Sequence, residues 1–384
     1  MTANPGFDPR RLDYLTAAVE RDIAAGLYFG GVIKVMRGGE SAYCKAFGHS
    51  SESRERAVAL DSVFSLFSVT KAFTNILVFQ AIERGLLTLT TPIAKVIPEF
   101  SGGLRDRITV FHLLTHSAGL PSIFEARPGM YIDRMAEVIA AICEVALPIE
   151  PPGGRVDYAP LFNHALLGEA ARRVDPRQRH YRQIMHDDIF EPLGMKDTAM
   201  GVRRDLKARH LFPEFRGNYP IKHLGHSNLG PNGAFAEEEA EMPWVGCVST
   251  AGDLMRFAEM LRGGGALDGQ RVVGRALVER ARTIWTGDKP NDFYANAIRA
   301  AGGIAPPANL GLGFSVRGPQ MGTSMFGTLG SPGTFGAHGA GTTLFWVDPE
   351  RDISFVGLMT GLMPSVDNLW RWQRLSDILL AAAL

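Results

Sequence analysis

The sequence predicts an α+β fold, with one antiparallel sheet built from both ends of the chain, flanked by helices and interrupted by an inserted, mainly helical region. Three observations carry this expectation. Short apolar runs rich in strand formers occur near the amino terminus, at 31–36 and 42–47, and again near the carboxy terminus, at 312–316, 343–347 and 353–358. From about 88 to 300 the chain instead shows helical stretches punctuated by Pro and Gly. One helix, at 9–25, heads the chain and another, at 367–383, closes it. Strands contributed by both termini are most simply satisfied by a single sheet. The implied division is 1–87 with 301–384 as an α/β part and 88–300 as the helical insertion, with the active site at their interface.

The elements follow in order. Leu12, Leu15, Val19 and Ile23 place an apolar face on the opening helix. Arg37-Gly38-Gly39-Glu40 reads as the hairpin turn between the first two strands. Residues 68–84 are apolar nearly all round (Phe73, Ile76, Leu77, Val78, Phe79, Ile82), which predicts a central buried helix stopped at Gly85. Further helices are expected near 108–116, 133–146, 161–174 and 252–263, the last stopped by Gly263-Gly264-Gly265. Segments 286–310 and 317–335, rich in Gly, Pro and Asn, predict long surface loops.

Bulk properties exclude several classes. A chain of 384 residues exceeds a typical single core and suits two subdomains. Lys plus Arg equals Asp plus Glu, 40 against 40, so nothing electrostatic favours nucleic acid or an anionic membrane as partner. No apolar run is long enough to span a bilayer, and the first residues carry no signal-peptide core; the expectation is a cytoplasmic protein. Cys44, Cys143 and Cys247 are odd in number and far apart, so reduced, mostly buried thiols are expected rather than disulfides or a metal site. His112 and His116 share i,i+4 spacing but lack the glutamate of a His-Glu-x-x-His site, and are read as structural. The Gly263–Gly265 run lacks the lysine and spacing of a phosphate loop, so neither cofactor nor metal is expected. His223 and His226 fall in a polar loop near the expected cleft. Trp244 and Phe314 are candidate pocket walls, with core packing as the default.

The most informative stretch is Phe64-Ser65-Leu66-Phe67-Ser68-Val69-Thr70-Lys71, where a strand-like run gives way to a helix at Ser68. Positions i and i+3 share a helical face, so Lys71 sits beneath the Ser68 hydroxyl. A serine needs a base to become a nucleophile. Burial in so apolar a helix would lower the lysine pKa and let it serve as that base. The helix start also offers N–H donors to a developing oxyanion.

Ser68-Val69-Thr70-Lys71 resembles the Ser-x-x-Lys motif of the serine β-lactamase and penicillin-binding-protein superfamily. Longer stretches resemble its class C-like branch, which includes family VIII carboxylesterases. These are Ile108 to Pro121 (ITVFHLLTHSAGLP), Pro192-Leu193-Gly194-Met195 and Ser249-Thr250-Ala251-Gly252-Asp253-Leu254. The resemblance covers most of the chain and implies a β-lactamase/transpeptidase-like fold. It assigns Tyr158, in Val156-Asp157-Tyr158-Ala159-Pro160, as the family's second catalytic element, a phenol that shares protons with Lys71. Pro160 stands where the family carries asparagine, and nearby Asn163 is a candidate substitute. The third element is the strand Phe335-Gly336-Ala337-His338-Gly339-Ala340. With Gly339 as the motif glycine, Ala337 occupies the usual lysine position and the Ala340 N–H joins that of Ser68 as an oxyanion donor. The frame His338-Gly339-Ala340 is equally open, and His338 is either a substrate contact or a strand histidine bonded to a neighbour.

Without that lysine and asparagine, tight binding of anionic amides is disfavoured, and a neutral ester needs neither group. The resulting expectation is a carboxylesterase-like serine hydrolase acting on a small acyl substrate through an acyl-enzyme on Ser68. The alternatives are a β-lactamase or D-aminopeptidase, an acyltransferase, or a catalytically silent binding module. The acyl group, leaving group and oligomeric state stay open.

Overall fold

Gly38 and Gly39, with φ of +59° and +81°, close the first hairpin in the left-handed conformation that matches strand twist. The computed structural model describes residues 6–213, 233–340 and 342–384; His223 and His226 lie outside them. The strands are β1 (Gly30–Arg37), β2 (Glu40–Gly48), β3 (Val63–Ser65), β4 (Ala199–Met200), β5 (His210–Leu211), β6 (Cys247–Ser249), β7 (Ala266–Leu267), β8 (Gln270–Arg271), β9 (Ser315–Val316), β10 (Phe335–Gly339), β11 (Thr343–Asp348) and β12 (Ile353–Met359). The α-helices are α1 (Pro9–Ala24), α2 (Thr70–Glu83), α3 (Ile93–Val96), α4 (Val110–Leu114), α5 (Met135–Val145), α6 (Phe162–Arg173), α7 (Tyr181–Met185), α8 (Ala251–Arg262), α9 (Arg275–Ala281), α10 (Asp292–Ala300) and α11 (Ser365–Ala382).

The main sheet has six strands in the order β2-β1-β12-β11-β10-β9, all antiparallel. The expected joining of the two ends is therefore direct: Gly31 pairs with Met359 and Arg37 with Ile353. Both faces are covered. Ile33, Val35, Trp346 and Phe355 pack with Leu15, Val19, Trp372 and Leu379 of α1 and α11. Val32, Phe345, Val347 and Val356 face the opposite core, shared with Phe257 of α8 and Phe73 of α2. Double coverage explains why β11 and β12 are buried at every position and read as unbroken apolar runs rather than alternating ones.

Three sequence expectations are corrected. The strand expected over 312–316 shrinks to Ser315–Val316, because Gly313 takes φ +77° where the chain passes against Asn75, and Leu312 and Phe314 enter the core instead. The loop expected over 286–310 contains α10, whose Ala295 and Ile298 are buried. Asn291 lies at its N-cap and Gly302 just past its end, where they start and stop the helix rather than prevent it. Cys44 is exposed, since β2 is the sheet edge and one of its faces meets solvent. The Gly263–Gly265 run ends α8 as expected.

A second sheet, ordered β4-β6-β3-β5, contains β3, the strand-like run expected before Ser68; its other strands had no sequence expectation, being two or three residues long and too short for a periodicity signal. It fixes the approach to Ser68. Among the described residues no helix is long and apolar enough to cross a membrane.

Candidate active site

Ser68 sits on a sharp turn between β3 and α2. The Leu66 N–H donates to the Cys247 carbonyl at 2.9 Å, and the Leu66 carbonyl accepts from Thr343 Oγ1 at 2.9 Å, so both sheets grip this residue. Phe67 then takes φ +49°, a left-handed conformation that costs an aromatic residue about 1–3 kcal/mol. Its ring packs on Phe212 and Phe235, with centroids 5.9 and 5.2 Å away, and this packing holds the strained turn.

Lys71, on the first turn of α2, is buried. Its Nζ lies 3.1 Å from Ser68 Oγ and donates to the Trp244 carbonyl at 2.8 Å. No salt bridge to it occurs among the described residues. Burial without a compensating carboxylate holds its pKa well below the usual lysine value. A neutral Lys71 has a lone pair to accept the Ser68 proton. The Trp244 backbone carbonyl provides orientation that a side-chain asparagine would otherwise supply. Asn163 does not take that place: its amide donates to the Leu113 carbonyl and to His116 Nδ1. Pro160 lines the cavity. Of the two candidate walls, Trp244 lines the cavity, whereas Phe314 packs against Phe335 in the core.

Tyr158 Oη donates to Ser68 Oγ at 2.7 Å. Burial pushes its pKa up to about 12, so the phenol keeps its proton at neutral pH. Its backbone is pinned on both sides, by Asn291 Oδ1 accepting from its N–H at 3.1 Å and by Ser122 Oγ donating to its carbonyl at 2.6 Å. The His116 ring lies 4.8 Å away, and His116 Nδ1 accepts from the Ala159 N–H at 3.2 Å. Burial and the nearby Lys71 push the His116 pKa down to about 3, so it stays neutral and serves as a fixed acceptor. This agrees with the structural reading of His116. His112 caps α4 through Thr109.

The end of β10 completes the arrangement. A Cβ on Gly339 would lie 2.4 Å from the Leu66 carbonyl and 3.1 Å from the Ser68 nitrogen, so only glycine lets this strand lie against the Ser68 turn. Gly339→Ala is expected to push β10 away from the Ser68 turn and lower the thermal unfolding midpoint, because the facing backbone atoms cannot give way; a thermal melt would check this. Ala340 and His338 line the same cavity as Ser68. His338 is bonded to a neighbour: Tyr294 Oη lies 3.0 Å from its Nε2. Burial and Lys71 lower the His338 pKa to about 4, and burial raises that of Tyr294, so both side chains are neutral at physiological pH. Tyr294 and Phe293 belong to α10. Sequence reasoning missed both because the helix fell in a segment read as loop; the Asn-Asp-Phe-Tyr helix start was the available signal.

The cavity measures about 410 Å³, within the range of small-molecule sites. Its walls include Phe67, Phe124, Phe235, Trp244, Phe293 and Met363, and no described lining residue carries a formal charge.

The family model described as Beta-lactamase matches residues 15–378. The chain belongs to the Beta-lactamase family. Within it, the chain is 26% identical over 320 residues to the Mycobacterium tuberculosis protein "Esterase/beta-lactamase LipL", covering 77% of this chain and 68% of that one. A penicillin-binding-protein homologue from Caulobacter crescentus superposes with a TM-score of 0.76 at 25% identity, covering 98% of this chain and 99% of that one. A family VIII carboxylesterase shares the fold with a TM-score of 0.75 at 18% identity, covering 96% and 97%. The β-lactamase/transpeptidase-like architecture expected from the sequence is thus the architecture found.

Proposed function

We propose that this β-lactamase-family chain is a serine carboxylesterase that cleaves neutral esters through an acyl-enzyme on Ser68. The observation that carries the reading is the continuous contact from Tyr158 Oη to Ser68 Oγ to Lys71 Nζ, at 2.7 and 3.1 Å. In acylation Ser68 Oγ attacks the ester carbonyl carbon and its proton passes to Lys71 Nζ. The Ser68 and Ala340 N–H groups stabilise the oxyanion. When the intermediate collapses, the C–O bond to the alcohol breaks and Tyr158 gives its proton to the departing alkoxide. The Lys71 ammonium then reprotonates Tyr158. Deacylation repeats these steps with water as nucleophile, releasing the acid and restoring Ser68.

Esters are favoured over β-lactams by the walls of the site. Ala337 stands at the position of the family's motif lysine, His338 is neutral at physiological pH, and the lining is largely aromatic and aliphatic. An anionic substrate would lose hydration there without gaining a cation. The relative named as an esterase/β-lactamase is consistent with both chemistries. The test is a comparison of kcat/KM for p-nitrophenyl butyrate and nitrocefin. The expected result is a preference for the ester of about 10²-fold or more; dominant nitrocefin turnover would overturn the assignment. Tyr158→Phe, which keeps the ring packing on His116, is expected to lower kcat/KM for butyl acetate, whose alkoxide must be protonated to leave, by about 10²–10⁴-fold, the usual contribution of general acid–base catalysis. An unchanged rate would remove Tyr158 from the relay.

A further inference from the structure

Beside the catalytic cavity lies a second, smaller one of about 120 Å³. Tyr294, Met325 and His338 line both cavities and form the wall between them. Much of the remaining wall is hydrocarbon, from Ala295 and Ile298 of α10, Pro306, Val316 of β9 and Leu369 of α11. The charged group there, Arg317, is already occupied: it donates to the carbonyls of Gly318 and Thr328. The loops nearby carry two strongly exposed apolar side chains, Ile304 at 87% and Met321 at 80%. These loops touch, since a Cβ on Gly322 would lie 3.3 Å from Pro306.

The residues shared by the two cavities are Tyr294 and His338, bonded to each other at 3.0 Å, and Met325. Methionine is unbranched and adapts its rotamers more readily than other apolar side chains. On the helix that carries Tyr294, Ala295 and Ile298 are buried.

We propose that the two cavities are successive parts of one channel for a hydrocarbon arm of the substrate, and that Met325 with the Tyr294–His338 pair sets the length of arm accepted. This rests on the ester reading and narrows its substrate class to esters with an extended alkyl arm. Met325→Ala, which opens the wall, is expected to raise the kcat/KM ratio of p-nitrophenyl decanoate to p-nitrophenyl butyrate by about tenfold, and Ala295→Leu, which fills the second cavity, to lower it by a similar factor. Decyl acetate against butyl acetate distinguishes an alkoxy arm from an acyl arm. Ratios unmoved in both variants and for both ester pairs would overturn the channel. A readout independent of turnover uses Ser68→Ala protein titrated with 2-undecanone and 2-pentanone. The longer ketone is expected to bind about tenfold or more tightly, and the added Ala295→Leu change to abolish the difference. Equal affinity of the two ketones in Ser68→Ala overturns the channel even if esters are cleaved. A retained ketone preference with no ester turnover overturns only the esterase reading.

Discussion

Ser68→Ala is expected to abolish ester turnover, with a fall in kcat of about 10⁴–10⁶-fold and no mass increase after exposure to a fluorophosphonate probe. The size of the effect follows from covalent catalysis. Without the Oγ there is no atom to form the acyl-enzyme, and what remains is the ability of the site to bind the ester and its oxyanion. The fold should survive, because the hydroxyl is small and its loss unpairs only the Tyr158 and Lys71 contacts. A cost of about 1–3 kcal/mol is expected from the buried phenol left without an acceptor, readable as a lowered unfolding midpoint. A variant that hydrolyses p-nitrophenyl butyrate like the parent would end the proposal of a Ser68 nucleophile.

Lys71→Met is expected to have the second-largest effect, a loss of about 10³–10⁵-fold in kcat, because the general base is removed while the Ser68 turn is kept. Lys71 also governs the pH profile. It acts as a base only when neutral, so kcat/KM should fall as pH drops through its lowered pKa and the ammonium forms. Tyr158, with a pKa of about 12, stays protonated through the neutral and mildly alkaline range, so no falling limb is expected there. A bell centred near neutrality would contradict this assignment of roles.

The same shift links pH to stability. Between the folded-state pKa of Lys71 and its ordinary value of 10.5, the unfolded chain binds a proton that the folded chain does not. Stability therefore rises with pH across that window and falls as pH drops through it. Lys71→Met lacks this slope. The difference in unfolding midpoint between parent and variant should change between pH 7 and 9 in the direction that favours the parent at the higher pH.

Much of the chemistry was legible in the chain because it is local. Ser68 and Lys71 lie three residues apart on a helix too apolar to reach solvent, and that arrangement alone predicts a desolvated amine beneath a hydroxyl. The apolar, β-rich runs at 343–347 and 353–358 likewise announce strands; that both faces are covered came from the structure. Of the second sheet only β3, next to Ser68, was legible; β4, β5 and β6 were not, since two or three residues carry no period. Nor was α10, because its Gly, Pro and Asn neighbours obscure the helix they delimit. The exposed Cys44 was misjudged for a related reason: being at the edge of a sheet is a property of strand order, not of the residue.

What the sequence determined by itself was the turn carrying Ser68, the buried lysine one helical turn later and the broad architecture, because each follows from contacts within a few residues or from the periodicity of a single element. Only the tertiary structure decided how the site is completed. The Trp244 carbonyl, distant in sequence, orients Lys71 in place of an asparagine; Asn291 and His116 fix Tyr158; and Tyr294 engages His338. These are long-range hydrogen bonds to backbone and side-chain atoms. Such groups are brought together by packing of separate elements, so residue type and spacing along the chain carry no record of which ones will meet.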